Sequence, residues 1–181
     1  MARPVPRGRC CRPWPPVAER NDAEDSTAWL TVQKQELAAA LLQSHQRAFG
    51  RPLLACTGSA ASLRLRCQEL FACGFPVLAH GTGVDPCLSY ANAAALQTWE
   101  THWAELIGMP SQLTAPERER QERRQALGQA RNAEAISGYR GIRISRKGRR
   151  FMINNARIWT LWDQEERVIG QAACFRDWWW L

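Results

Sequence analysis

The stretch between residues 75 and 110 limits most sharply what this chain can fold into. Residues 75–80 form an apolar run of strand length, and residues 87–91 predict a second short strand. A connection this short pairs the two strands side by side. We interpret the residues between them as a tight turn whose glycines take positive φ, with Gly81, Gly83 and Asp85 as its structural residues.

A helix start follows the second strand directly. Asn92 is a favourable N-cap, and the Ala-Ala-Ala-Leu run after it is a strong helix former. Trp99, Trp103 and Leu106 recur at helical spacing and predict one shared face. The step at residues 100–102 leaves open a break into two short helices.

The rest of the chain divides into a helical front and a strand-rich back. Apolar periodicity predicts helices before residue 75 and one charged helix after residue 110, then strands connected by hairpins. The phase shift at Asn154–Asn155 predicts a β-bulge. The predicted helices are 27–49, 60–73 and 115–134, and the later strands are 136–145, 151–162 and 168–175. The N-cap of the first helix is assigned to Ser26 or Thr27.

This order predicts an α+β domain with a five-stranded antiparallel sheet, helices on one face, and N-terminal helices before it. Residues 1–25 are rich in Pro and Arg and lack apolar periodicity, so we expect a disordered tail followed by one domain over 26–181. No apolar run is long enough to cross a membrane, and the N-terminal residues lack an apolar h-region, so we expect no secretory signal. The 7 scattered cysteines form no CxxC pair, which favours a reducing, cytoplasmic location.

Five segments, in this order, resemble the MEKHLA domain, a PAS-like module. They are HGTGVDP (80–86), YANAAALQTWE (90–100), YRGIRIS (139–145), GRRF (148–151) and GQAACF (170–175). The resemblance covers roughly residues 27–181, without a homeodomain or leucine zipper, so the chain looks like the stand-alone form found in cyanobacteria and algae. It implies a non-enzymatic sensory or signalling module that binds a small ligand or mediates protein–protein interaction. The alternatives are a pure interaction scaffold without a cavity, or an enzyme on a PAS-like scaffold.

The resemblance places a ligand cavity between the sheet and the helix that carries the tryptophans. Aromatic walls with one or two polar groups suit a small-molecule pocket. The ligand and any cofactor stay unknown; no cysteine follows an asparagine as a flavin photoadduct would need. The candidate pocket residues are His80, Tyr90, Trp99, Trp103, Trp159 and Gln171.

Other features carry weaker hypotheses. His45, His80 and His102 have no metal-ligand spacing, so no metal site is predicted. Asp85 near His80 is the one acid–base pair close in sequence, and its Asp-Pro context favours a turn over catalysis. The basic segment 140–150 is either a solvated hairpin or a docking surface for an acidic partner; nucleic acid is disfavoured because few aromatics flank it. The first helix and Trp178–Trp180 are candidate surfaces for homodimerisation. Alternatively, the three tryptophans fold back over the sheet.

Overall fold

The structure is a computed structural model that describes residues 27–54 and 61–181. The predicted tail at 1–25 lies outside the described residues. The described part forms an α+β domain with one antiparallel sheet, as the sequence predicted.

The N-terminal helices start later than predicted. A 3-10 turn at Ala28–Leu30 comes first, and helix α1 then runs over Val32–Phe49. Its N-cap is Thr31, whose side chain accepts a hydrogen bond from the Lys34 amide, so the assignment to Ser26 or Thr27 is wrong. A cap needs extended backbone before the helix, and Thr31 has a ψ of 158° where Thr27 has 0°. Helix α2 spans Leu63–Ala72.

The predicted central helix is broken into two. Helix α3 spans Ala93–Thr98 and α4 spans Trp103–Leu106. Glu100 lies between them with a φ of 53°, a left-handed backbone conformation that no continuous helix contains. The charged helix α5 covers Arg120–Asn132, after a 3-10 turn at Glu117–Glu119.

The sheet has the strand order β2-β1-β5-β4-β3. A sixth strand, β6, pairs with the first half of β4 while β5 pairs with its second half. The tryptophans at the chain end therefore extend the sheet along β4 and do not fold over it. The strands are β1 Val77–His80, β2 Leu88–Ala91, β3 Ala135–Ile144, β4 Arg150–Trp162, β5 Val168–Cys174 and β6 Asp177–Trp180.

The predicted bulge in β4 is confirmed. Asn155 has a φ of 53°, and the β3–β4 register shifts between the pairs Tyr139–Ala156 and Gly141–Ile153. The extra residue changes the alternation of side chains along β4, so Ile153, Ala156 and Ile158 line one face. Trp159 consequently faces the other side.

The two faces of the sheet carry separate cores. One face, which we call the outer face, packs against α1 and α2, so the N-terminal helices bury their apolar stripes on the sheet as expected. The opposite, inner face lies under α3 and α5. Buried residues of the outer core include Leu41, Leu70, Val77, Tyr90, Trp103 and Trp159, and those of the inner core include Leu78, Trp99, Phe151, Ile153 and Phe175.

Candidate functional site

A small cavity lies between the inner face of the sheet and helix α5. Its volume is about 50 Å³, which holds roughly three to five water-sized groups. Apolar side chains from β1, β4 and β5 form its floor, and polar side chains surround them. We call it the inner cavity; its polar and aromatic lining includes His80, Trp99, Arg123, Tyr139, Arg143 and Gln171.

His80 is buried at the end of β1 and is held in one tautomer. Its Nδ1 lies 2.8 Å from the carbonyl oxygen of Gly81, which can only accept, so Nδ1 carries the proton. Burial and the nearby charges of Arg123 and Arg131 lower the pKa of His80 to about 4. The neutral ring therefore presents Nε2 as a bare acceptor, and that buried atom has no hydrogen-bond partner.

Gln171 contributes a second unpaired acceptor from β5. Its Nε2 donates to the carbonyl oxygen of Leu127 on α5 across 3.0 Å. Because that carbonyl cannot donate, the amide orientation is fixed and Oε1 points away from it. Oε1 is buried and has no partner, while Gln171 as a whole is only 3% exposed.

Two arginines bring positive charge to the same cavity. Arg143 on β3 is 6% exposed and donates to the Tyr139 hydroxyl across 3.2 Å. Burial and the charge of Arg143 lower the pKa of Arg123 to about 9, while the charge of Asp85 opposes this shift. Among the described residues, neither guanidinium lies within ion-pair distance of a carboxylate.

Gly141 makes the meeting of Tyr139 and Arg143 possible. All three residues lie on one face of β3, where a side chain at the middle position would stand between its neighbours. A Cβ on Gly141 would lie 2.5 Å from the Tyr139 hydroxyl and 3.1 Å from an Arg143 guanidinium nitrogen. The missing side chain thus leaves room for two polar groups above the sheet.

The six side chains predicted for one pocket do not converge. The inner cavity receives three of them, and the other three belong to the outer core. His80, Trp99 and Gln171 line the inner cavity, whereas Tyr90, Trp103 and Trp159 pack on the outer side. Trp99, Trp103, Trp159 and Gln171 therefore do not bound one cavity, because they lie on two faces of the sheet.

Two local backbone features explain this division. The left-handed Glu100 breaks the helix, so Trp103 leaves the face of Trp99 and contacts the Tyr90 ring edge-on, at 5.8 Å between centroids. The bulge at Asn155 shifts the alternation of side chains along β4, so Trp159 lies on the outer face. Tyr90 is fully buried there, its hydroxyl has no partner, and burial raises its pKa well above its usual range.

The predicted structural residues have distinct places. Asn92 caps α3 by accepting from the Ala95 amide, and its oxygen also accepts from the Val77 amide. Gly83 has a φ of 117°, while Gly81 is not among the glycines at positive φ, contrary to expectation. Gly81 instead makes two hydrogen bonds. Its amide donates to the Cys87 carbonyl, and its carbonyl accepts from Nδ1 of His80. Asp85 lies in the bend at 82–85.

Several cations of the basic hairpin contact other parts of the domain. Arg143 faces the inner cavity, and Arg149 donates to Glu100 across 3.2 Å. Lys147 lies 4.0 Å from Glu100, and Arg146 lies 3.9 Å from Glu105. Hydrogen bonds from Ser145 and Arg149 lower the pKa of the Glu100 carboxyl. The hairpin is consequently anchored to the segment between α3 and α4.

A wider groove opens on the other side of Trp99. Its volume is about 450 Å³, and it runs between residues 113–117 and the hairpin at 144–148. Apolar side chains such as Met109 and Leu113 form its floor, with Arg120 and Arg146 among its lining residues. The groove is more open to solvent than the inner cavity and lacks its set of convergent buried polar atoms.

No group of three or more His, Cys, Asp or Glu side chains in residues 27–54 and 61–181 is arranged to hold a metal ion. His45 lies in the outer layer against Trp159, away from His80. The helices of the described segments are each too short or too polar to cross a membrane.

Sequence reasoning missed Arg123, Tyr139 and Arg143 as cavity residues. A signal existed for each. Arg123 begins the stripe Arg123, Ala126, Leu127 and Ala130 on an otherwise charged helix, and its spacing places it on the buried side. Tyr139 and Arg143 share the strand parity of Gly141.

Comparisons with known proteins agree with this architecture. The sequence model of the MEKHLA domain matches residues 35–180. The PAS domain of a protein from Colwellia psychrerythraea superposes with a TM-score of 0.56 at 12% identity, over 64% of this chain and 95% of that one. An RNA-binding light-oxygen-voltage receptor gives a TM-score of 0.58 at 16% identity, over 70% of this chain and 35% of that chain.

A third solved structure, a light-oxygen-voltage domain studied with a flavin analogue, gives a TM-score of 0.51 at 13% identity, over 67% of this chain and 86% of that one. The search of curated proteins finds no match. At these identities the structural likeness shows the fold.

Proposed function

Because the chain belongs to the MEKHLA domain family and has the fold of PAS and light-oxygen-voltage sensory domains, we propose that it is a non-enzymatic sensory module whose inner cavity takes a small ligand. The observation that carries this proposal is the set of unpaired buried polar atoms at one cavity. His80 Nε2 and Gln171 Oε1 have no partner, and two arginines stand beside them. Buried polar atoms are nearly always hydrogen-bonded, so this set favours a bound species.

A route from the inner cavity to the outer face runs through β4 and β5. Ile158 lines the cavity, and the next residue, Trp159, packs on the opposite face against α1. Gln171 contacts the cavity and α5, while Ala172 pairs with Trp159 across the strands. A ligand that displaces either strand would therefore change the packing of α1, and α1 is the element through which we propose that the signal leaves.

The inner cavity does not fit a flavin. At about 50 Å³ it is far below the roughly 300–1,000 Å³ of pockets for drug-sized molecules. None of the described cysteines lines it, so a thiol for a flavin adduct is missing from its walls. We propose a much smaller ligand, and no step of the mechanism uses a flavin.

Catalysis is not proposed for His80. Its Nδ1 is held by a backbone carbonyl rather than by a carboxylate, and its low pKa keeps the ring neutral at physiological pH. A general base works best with a pKa near the operating pH. The geometry suits recognition of a ligand hydrogen better than proton transfer.

Native mass spectrometry and hydrogen exchange test the proposal together. The variant Ala173→Leu fills the cavity from β5, and Ala133→Leu adds the same atoms at an exposed position at the end of α5. We expect a bound small species in the wild type and in Ala133→Leu, lost from Ala173→Leu, with changed amide exchange in α1 on its loss. A species retained equally by both variants would contradict the cavity as its site.

The second candidate function is an interaction scaffold, which the groove beside Trp99 favours. Its volume of about 450 Å³ and its apolar floor suit a peptide segment. Substitution at Met109, which lines the groove and not the inner cavity, separates the two functions. Loss of a partner in Met109→Glu with the bound small species unchanged would favour the scaffold.

A further inference from the structure

We propose that the ligand of the inner cavity is a small oxyanion that also carries a hydroxyl group, a hydroxycarboxylate or bicarbonate, held by Arg123 and Arg143. This inference rests on the proposed function and assigns a chemical class to its ligand. Four arguments carry it: the charge of the cavity, the donors beside that charge, the unpaired acceptors, and the volume.

The charge comes first. Arg123 and Arg143 both line the cavity, and burial together with the charge of Arg143 lowers the pKa of Arg123 to about 9. A guanidinium does not give up its proton in a protein at neutral pH. Two like charges that line one small cavity are unfavourable unless a counter-charge compensates them. Asp85 acts on Arg123 from outside the lining, so the cavity itself contains no negative group.

The donors are arranged around the charge. Arg143 uses one nitrogen on the carbonyl oxygen of Ile142, at 2.8 Å, and another on the Tyr139 hydroxyl. The Tyr139 oxygen accepts from Arg143, so its own O–H stays able to donate. The missing side chain of Gly141 lets the Tyr139 hydroxyl and the Arg143 guanidinium lie together over β3. Arginine forks and a phenol hydroxyl are matched to carboxylate oxygens.

The acceptors narrow the class further. His80 Nε2 and Gln171 Oε1 are buried and unpaired, and both can only accept in the states fixed by their other contacts. A simple anion such as formate or chloride has no hydrogen-bond donor for these two acceptors. A ligand with an O–H group satisfies one of them while its oxyanion edge meets the arginines.

The volume excludes larger members of the class. About 50 Å³ accommodates a bicarbonate or glycolate ion but not a dicarboxylate or a sugar acid. The apolar side chains on the floor, including Ile153 and Ile158, offer no polar contact to a longer ligand. Bicarbonate and glycolate share the required chemistry and come from different sources, so the experiment uses both.

Thermal unfolding and calorimetric titration of the full chain at neutral pH and constant ionic strength test the inference. The probes are sodium bicarbonate, glycolate, formate and chloride. We expect bicarbonate or glycolate to raise Tm and bind, formate to bind about tenfold more weakly for lack of the hydroxyl, and chloride to have no effect. Whichever of the two hydroxylated ions binds more tightly identifies the source.

Matched variants of α5 show whether binding occurs in this cavity. Arg123→Gln removes one of the two positive charges of the cavity, and Arg124→Gln removes one positive charge at an exposed neighbouring position. We expect about tenfold or greater loss of affinity in the first and wild-type affinity in the second. Tyr139→Phe, which removes only a hydroxyl, gives a smaller loss and is less demanding for folding.

Several results would overturn the inference. Equal binding by Arg123→Gln and Arg124→Gln would place the anion elsewhere, and binding of formate as tight as glycolate would remove the role of the acceptors. A neutral species found in the wild type and lost in Ala173→Leu would refute the anion while leaving the sensory function standing. Anion binding without any change in α1 exchange would support the anion as the ligand and contradict the proposed signal through α1.

Discussion

The indole nitrogen of Trp159 donates a hydrogen bond to the carbonyl oxygen of Leu41 across 3.3 Å, from the middle of the sheet to helix α1. The ring also stands edge-on to His45, with 5.0 Å between centroids. This contact joins the strand beside the inner cavity to the helix on the opposite face. It is therefore both a stabilising contact and the proposed route of the signal.

Trp159→Phe removes the hydrogen bond and keeps most of the aromatic packing. We expect the free energy of unfolding to fall by about 1–2 kcal/mol because one buried hydrogen bond and part of the ring are lost. Urea-induced unfolding measures the change. Trp179→Phe, at a position 44% exposed, is the control, with a change below about 0.5 kcal/mol. Equal losses would show that the contact contributes nothing specific.

Asn92→Ala should be among the most destabilising single changes in this domain. Its amide accepts from two backbone N–H groups and donates to the Phe75 carbonyl at 2.8 Å, and the residue is fully buried. Each buried group left unpaired costs about 1–3 kcal/mol, so we expect a loss of about 3 kcal/mol or more. Asn132→Ala, exposed at the end of α5, serves as the comparison in the same unfolding experiment. A loss near 1 kcal/mol for Asn92→Ala, the value of an ordinary N-cap, would mean that only the cap counts.

Two glycine-to-alanine changes should have opposite effects on the free energy of unfolding. A Cβ on Gly170 would lie 2.0 Å from the His80 carbonyl oxygen, so Gly170→Ala forces β1 and β5 apart. We expect a loss of at least about 2 kcal/mol. Gly128 lies in α5 with open space around it, so Gly128→Ala should stabilise the protein by about 0.5–1 kcal/mol. Thermal unfolding distinguishes them; a stabilised Gly170→Ala would contradict the close approach of the two strands.

Stability should fall on acidification below neutral pH. Folded His80 has a pKa of about 4, and in the unfolded chain the group titrates near about 6.5. Between these values the unfolded state binds more protons, so the free energy of unfolding decreases as pH falls, by up to about 3 kcal/mol from this residue. His45, whose pKa burial also lowers to about 4, adds in the same direction.

Unfolding in urea at several pH values measures this dependence. His80→Gln should flatten the curve between about pH 6.5 and 4, and the part caused by His45 should persist. An unchanged slope in His80→Gln would show that the folded histidine takes up its proton as readily as the unfolded one.

The sequence predicted five of the six strands, the bulge and the order of those elements because these depend on local patterns, but it did not predict β6. Alternating apolar residues and the Asn154–Asn155 phase shift each act within a few residues. Thr31 was missed as a cap because Ser26 and Thr27 offer the same chemistry nearby, and the choice depends on backbone torsions. The fold class followed from order alone.

The candidate site was less accessible to sequence reasoning. Helical spacing placed Trp99 and Trp103 together, but a single left-handed residue, Glu100, separates them. That conformation is maintained by tertiary contacts with Ser145 and Arg149, more than forty positions away along the chain. Likewise Arg143 looked like one of several solvated cations, and only the packing of α5 over the sheet distinguishes it from its neighbours.

The helix that covers the inner cavity also sets how fast a ligand can exchange. Helix α5 contributes few buried side chains, Ala126 and Ala130, and it carries both Arg123 and the carbonyl that holds Gln171. A helix with so little buried surface can detach without unfolding the sheet. We therefore expect the entry and departure of the ligand to be limited by the opening of α5. The residence time of the ligand would then depend on how often this helix opens rather than on the ligand's affinity.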